Sequence, residues 1–188
     1  MDYAVGILLG LGLAASCGFR VFVPLLISNI ASHIGYLHFG TGYEWMASWP
    51  AFAVFVSATI LEIGAYYIPW LDNVLDSIAI PLASVAGTLL TVSFISGMDP
   101  MVQWTLGIIL GGGSAALIKA GASVARLKSS AFTAGFTNWI IATIENFTSV
   151  ITSVLTILIP VVMGIFAVTL IAYFGYRVFG RRKKNTLK

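Results

Sequence analysis

The sequence predicts an all-α integral membrane protein, a bundle of five or six transmembrane helices, and three observations carry this prediction. Apolar residues make up 59% of the 188 residues and charged residues only 9%, against about 25% charged residues in soluble domains. The mean hydropathy is +0.96. Long apolar runs recur without the period-2 alternation of a membrane β-barrel. Together these features exclude a soluble enzyme, a disordered chain and a free nucleic-acid-binding protein.

Four apolar runs precede a longer one, and backbone pairing inside a bilayer predicts that all of them are helical. Gly18 and Pro24 interrupt the first run, and three consecutive glycines, Gly111, Gly112 and Gly113, interrupt the fourth. An Asp-Pro pair predicts a turn between the third and fourth runs. The four runs are residues 3–32, 46–69, 78–97 and 101–127.

The last apolar stretch, residues 135–179, is too long for one straight span. It predicts one long tilted helix, a half-helix followed by a span, or two spans separated by a turn near residues 146–149. Five spans in the whole chain place the two termini on opposite sides of the membrane, whereas six place them on the same side. Six spans also place Arg126 and Lys128 on the side of the C-terminus, as the positive-inside rule prefers. The sequence leaves the count open.

A cluster of basic residues follows the last run. Six of the ten Lys and Arg residues lie in the last twelve positions. Basic residues next to an apolar span remain cytoplasmic and attract anionic lipid head groups. We therefore predict a single transmembrane domain over residues 1–180, a basic cytoplasmic tail over residues 181–188, and a location in the cytoplasmic (inner) membrane. No nucleic-acid partner is expected.

Four ionisable residues, Arg20, Glu62, Lys119 and Glu145, fall at membrane depth. Each costs roughly 2.5–3.5 kcal/mol if it faces lipid, so such side chains face the bundle interior, pair with one another or reach the interface. Three interpretations stay open: structural ion pairs, a polar path for an ion or solute, and a catalytic site. We expect Arg20 to face protein, with Glu62 as its partner.

The glycine and proline breaks lie close to two of these charges. Paired breaks of this kind are typical of discontinuous helices at the midplane site of a transporter. Residues 12–20 and 111–119 are both stretches of small residues that end in a cation. In each case an acid follows on the next apolar segment. This similarity predicts a weak inverted repeat. Close helix packing is the alternative role for the glycines.

Two aspartates, Asp72 and Asp76, lie four residues apart and share one face if they are helical. They predict either the entrance of a cation path or a solvated loop. The aromatic residues from Tyr66 to Trp70 are typical of an interfacial belt. No spacing of His, Cys or acidic residues predicts a metal site, a cofactor or a catalytic set.

Five strings of the sequence then carry a family resemblance. They are residues 17–24 (CGFRVFVP), 44–50 (EWMASWP), 62–73, 86–90 (AGTLL) and 111–113 (GGG). Together they resemble a family of small bacterial integral membrane proteins catalogued as a domain of unknown function, over most of residues 10–150. The resemblance implies a single polytopic helical domain, and it implies no substrate, cofactor or catalytic residue.

From these features we expect a small transporter-like or channel-like protein, not an enzyme. Its intramembrane charges would line a path for an ion or a small polar solute. Because 188 residues form only a narrow bundle, we expect a homo-oligomer. The alternative is a structural or accessory membrane protein whose buried ion pairs only stabilise helix packing.

Overall fold

The chain folds into helices that pack side by side. The computed structural model describes residues 3–95, 97–133 and 138–185, without the side chains of residues 69, 70, 72, 73, 127–133, 138, 174, 175 and 177–185. Within this part of the chain no strand occurs, as predicted. The elements are α1 (Tyr3–Cys17), α2 (Phe22–His33), a 3-10 turn (Glu44–Ala47), α3 (Trp49–Ala65), α4 (Pro69–Phe94), α5 (Pro100–Leu106), a π-helical segment (Gly107–Gly112), α6 (Gly113–Thr133), α7 (Asn138–Leu158) and α8 (Pro160–Asn185).

Three helical stretches are long and apolar enough to cross a membrane. They are Val74–Phe94 in α4, Pro100–Arg126 through α5 and α6, and Trp139–Leu158 in α7. Four shorter apolar helices accompany them: Tyr3–Cys17, Phe22–His33, Trp49–Ala65 and Pro160–Tyr173. The predicted all-α class, with interruptions at glycine and proline, is confirmed.

The first apolar run folds as a helical hairpin instead of one span. Gly6 of α1 packs against the backbone of Phe94. After α2, the amide of Gly40 donates to the carbonyl of Ser93, with 2.7 Å between N and O. The segment that follows α2 has therefore returned to the level at which α1 begins, and the chain reverses at residues 18–21.

The tip of this hairpin lies inside the bundle, because neighbouring helices extend beyond it. Gly18 packs against Ile118, and α6 continues for fifteen residues from there to Thr133, which is about 22 Å at 1.5 Å per residue. Ser149 donates to the carbonyl of Ser16 at 3.2 Å, and α7 begins eleven residues earlier, about 16 Å away.

The last apolar stretch forms two helices, α7 and α8, which meet at Pro160. The turn near residues 146–149, which the two-span alternative placed there, is therefore wrong, since those residues lie inside α7. Gly164, early in α8, packs against Leu8, early in α1. The helices α3, α4, α5–α6, α7 and α8 thus alternate in direction, and the two described ends of the chain lie at opposite ends of the bundle.

The interior of the bundle contains many polar side chains among its apolar ones, and its exterior carries many large apolar side chains. The central helix, α1, is buried on all sides from Leu9 to Cys17 and contacts α4, α6, α7 and α8. On α7 the buried face carries Ser149, Ser153 and Thr156, whereas large apolar side chains of the same helix are exposed. This distribution is the one that a lipid environment favours.

The two segments compared as a weak inverted repeat fold differently. Residues 12–20 end in a chain reversal, whereas residues 111–119 pass from the π-helical segment into α6 without a break. The geometry of these segments therefore gives the predicted repeat no support.

Candidate functional site at the tip of the hairpin

Three cations surround one tyrosine ring at the tip of the α1–α2 hairpin. The guanidinium carbon of Arg20 lies 3.8 Å from the ring centroid of Tyr66, and that of Arg126 lies 4.5 Å from it. The ammonium of Lys119 donates to the Tyr66 hydroxyl at 3.1 Å. Arg20 is 0% exposed and Lys119 1%. Cations stacked on an aromatic ring away from water are held by the negative face of the ring.

Glu145, on α7, is the carboxylate that two of these cations share. Its Oε2 accepts a hydrogen bond from Arg126 and lies 3.5 Å from Nη2 of Arg20. Asp76 adds a second acid, with Oδ1 3.8 Å from Nη1 of Arg126. We call the group formed by Arg20, Tyr66, Asp76, Lys119, Arg126 and Glu145 the charged cluster.

Glu62 has a different role from the one expected. Its carboxylate accepts from the backbone amides of Val21 and Phe22 at 2.8 and 3.0 Å. The first amides of a helix have no partner within the helix, and the positive end of its dipole favours an anion. Glu62 therefore caps α2, and the predicted ion pair of Arg20 with Glu62 is wrong: among the described side chains, the acid within ion-pair distance of Arg20 is Glu145.

Part of the charged cluster has no hydrogen-bond partner among the described residues. On Arg20, Nη2 donates to the carbonyl of Ala142 at 3.0 Å, but Nε and Nη1 are buried without a partner, as is Oε1 of Glu145. Unpaired buried polar atoms cost about 1–3 kcal/mol each, and more when charged. The two nitrogen atoms can donate to a polar group of a solute, and the carboxylate oxygen can accept from one.

Two helix ends also lie next to the cluster. The C-terminal end of α1 and the N-terminal end of α2 meet at residues 18–21, so a partial negative and a partial positive charge lie next to each other. Arg20 follows the negative end, and Glu62 covers the positive end. The tip of the hairpin is thus a break between two helices at buried charges, a feature that transporter sites share.

The predicted helix breaks have separate roles. Gly18 lies at the chain reversal against Ile118, and Pro24 is in the first turn of α2, where proline is tolerated. The glycine triplet lies outside the charged cluster. Gly111 packs against Gly87 and Thr91 of α4, and Gly112 packs against Thr88 and Ser84, whereas a Cβ atom at Gly113 would meet only the carbonyl oxygen of Ile108, at 4.0 Å.

Of the two aspartates proposed as an entrance, Asp76 belongs to the charged cluster and its side chain is 29% exposed. The side chain of Asp72 and the basic tail, residues 181–188, lie outside the described side chains. Among the described residues, no group of three or more His, Cys, Asp or Glu is placed to hold a metal ion.

Two residues of the cluster, Tyr66 and Arg126, were not predicted as site residues. Arg126 follows Lys119 by seven residues and Tyr66 follows Glu62 by four, and both spacings place the two side chains on one helix face. The signal in the sequence that could have identified Tyr66 and Arg126 is their helical spacing from the intramembrane charges Glu62 and Lys119.

The fold and the cluster define a polytopic helical protein with an apolar exterior, built around buried charges at the tip of a hairpin. The chain belongs to the family described as Domain of unknown function (DUF4126), whose model matches residues 7–179. The resemblance found in the sequence is thereby confirmed, and the match includes every described residue of the charged cluster. No curated protein and no solved structure matches the chain.

Proposed function

We propose that this protein is a small transporter-like or channel-like membrane protein that moves an ion or a small polar solute past the charged cluster. One observation carries the proposal. Two half-helix ends meet inside the bundle, beside a buried arginine with two unpaired nitrogen atoms and a carboxylate with an unpaired oxygen. Interrupted helices at buried charges are the usual form of a transport site.

The shared carboxylate gives the cluster two ways to pair. Glu145 contacts Arg126 directly and lies 3.5 Å from Arg20. When a solute group binds the free donors of Arg20, Glu145 pairs with Arg126 alone. When the solute leaves, Glu145 again lies between Arg126 and Arg20. A ligand that favours one pairing over the other shifts the population between two states, which is the requirement for moving a solute in steps.

The second candidate function is a structural or accessory role, and a specific observation favours it. Glu62 and Glu145 are only 6% and 5% exposed. The hydroxyl of Ser149 on α7 donates to the carbonyl of Ser16 on α1, and the hydroxyl of Ser16 donates to that of Thr152 on α7. Hydroxyls of this kind hold membrane helices together, and in this function the ion pairs only stabilise packing.

Flux measurements separate the two functions. We expect Glu62→Gln and Glu145→Gln each to abolish pH-dependent flux in proteoliposomes, because glutamine keeps the shape of the side chain and removes its charge. Glu44→Gln is the matched control, since Glu44 is an exposed residue at the start of the 3-10 turn, and its carboxylate accepts from the Gly42 amide. Its flux should equal that of the wild type.

A folded wild-type protein without flux across a broad panel of ions and small polar solutes would contradict the transport proposal and favour the structural one. Equal flux in the Glu145→Gln variant and the wild type would place the path elsewhere in the bundle.

We further propose that the chain lies in the cytoplasmic membrane of a bacterium, with its C-terminus in the cytoplasm, anionic lipid head groups at its basic tail, and a second copy to widen the narrow bundle. The backbones of α6 and α8 end at the same end of the bundle. Arg126 therefore lies towards the end at which the basic tail follows α8, as the positive-inside rule prefers.

This topology gives a prediction about the two termini. A reporter fused after Lys188 should give a cytoplasmic signal, and one fused before Met1 a signal from the opposite side. Cytoplasmic signals from both fusions would contradict the direction of the helices described above.

A further inference from the structure

An apolar cleft of about 690 Å³ separates α3 from α4. The two helices are joined by a short turn, and Val21 and Phe22 at the tip of the hairpin form part of its wall. Small residues provide the space, among them Ala58, Gly64 and Ala79. The polar members of the lining are Glu62 and Tyr66, and both are buried.

The cleft opens on the outer surface of the bundle. Ile60 and Leu61 on α3 and Val74 on α4 line it and are also exposed. An apolar space of this kind does not hold ordered water, which needs two or more polar partners. An empty space deprives its lining of dispersion contacts. In a bilayer the neighbouring apolar group that can enter is a lipid chain.

The dimensions of the cleft fit one leaflet. Its lining on α4 extends from Leu71 to Leu82, eleven residues or about 16 Å. Half of the hydrocarbon core of a bilayer is about 15 Å thick. Ile68 and Leu71 line the end of the cleft that lies towards the end of the bundle at which α8 ends and the basic tail follows. A basic segment there concentrates anionic lipids.

We propose that the cleft between α3 and α4 binds one acyl chain of an anionic phospholipid from the leaflet on the side of the C-terminus. The acyl chain covers Glu62 and Tyr66, and it so keeps water away from the charged cluster behind these two residues. The site does not depend on the transport proposal, because a structural protein with the same cleft binds the same lipid.

Gly64 allows a direct test, because a Cβ atom placed there meets no heavy atom within 4 Å. Gly64→Trp fills the cleft. Val54→Trp is the matched control, since Val54 is exposed on the same helix and does not line the cleft. Full-length protein is titrated in detergent with dioleoyl phosphatidylglycerol or dioleoyl phosphatidylcholine, and bound lipid is counted by native mass spectrometry.

We expect the wild type and Val54→Trp to retain one phosphatidylglycerol, and Gly64→Trp to bind it at least about tenfold more weakly, equivalent to about 1.4 kcal/mol. Phosphatidylcholine should bind the wild type more weakly than phosphatidylglycerol. If Gly64→Trp does not fold, Ala58→Phe narrows the same cleft, and it should lose the lipid in the same way.

Three results would overturn the proposal. Equal binding of phosphatidylglycerol by the wild type and a folded cleft variant would show that the lipid binds elsewhere. Equal binding of the two lipids would remove the preference for an anionic head group. A dimer of the wild type that Gly64→Trp alone dissociates would show that a second copy occupies the cleft. None of these measurements depends on flux, so each result leaves the transport proposal to its own test.

Discussion

Glu145→Leu is expected to lower the free energy of unfolding by about 3–5 kcal/mol, because it leaves the buried guanidinium groups of Arg20 and Arg126 without the carboxylate they share. The wild-type Oε2 contacts Arg126 and lies 3.5 Å from Arg20. Removing one member of a buried ion pair strands an uncompensated charge, and here one substitution affects two cations. Thermal melting or denaturant unfolding in detergent micelles measures the loss.

A double-mutant cycle identifies the pair. Arg20→Leu alone should also destabilise the protein strongly, and Arg20→Leu combined with Glu145→Leu should recover part of the summed loss. Arg20→Leu combined with Glu62→Leu should recover none, because Glu62 bonds to the amides of Val21 and Phe22. Additive losses in the Arg20 and Glu145 pair would contradict the geometry. The exposed Glu44→Leu is the control and should change stability by less than about 1 kcal/mol.

The sequence is sufficient to predict that the intramembrane charges face the interior of the bundle. A charged side chain that faces lipid is costly whichever residue it would otherwise pair with. Arg20, Lys119, Glu62 and Glu145 are all buried. Their partners could not be predicted in the same way, because several acids lie within reach of one arginine in a bundle. The free amides at the start of α2 compete for Glu62, and that competition is visible only once the hairpin is known.

The hairpin itself was not predicted. An apolar run of thirty residues interrupted by Gly18 and Pro24 fits one kinked span or two antiparallel half-length helices, and hydropathy alone does not distinguish the two. The position of Pro24 was the available signal, since proline favours the first turn of a helix. It lies in the first turn of α2.

The misplaced turn in the last stretch has a related cause. Two spans in this stretch would need a turn near residues 146–149, where Asn146, Thr148 and Ser149 are polar. In a bundle surrounded by lipid, polar side chains face the interior, and Ser149 is fully buried on α7 and bonded to α1. The helix instead ends before Pro160, whose ring disfavours helical backbone at the preceding residue.

The glycine triplet gives the second large effect, with a control built into the sequence. Gly111→Ala is expected to destabilise the protein by about 1–3 kcal/mol, because its Cβ atom overlaps Thr91 and the carbonyl oxygen of Gly87, and overpacking of a rigid contact costs this much. The added atom would lie 2.7 Å from Cβ of Thr91, so the π-helical segment and α4 must move apart.

Gly113→Ala should be neutral or stabilising by up to about 1 kcal/mol, since alanine is the better helix former and the nearest atom its Cβ meets is the Ile108 oxygen at 4.0 Å. Thermal melting of the two variants in the same detergent, with size-exclusion chromatography as a check on assembly, measures the difference. Because both glycines lie at one junction, a loss of backbone flexibility acts on both variants, whereas close packing acts only at Gly111. Equal destabilisation by the two substitutions would therefore show that the triplet is required as a flexible break, and only then would the glycines belong with the charged cluster as part of a moving site.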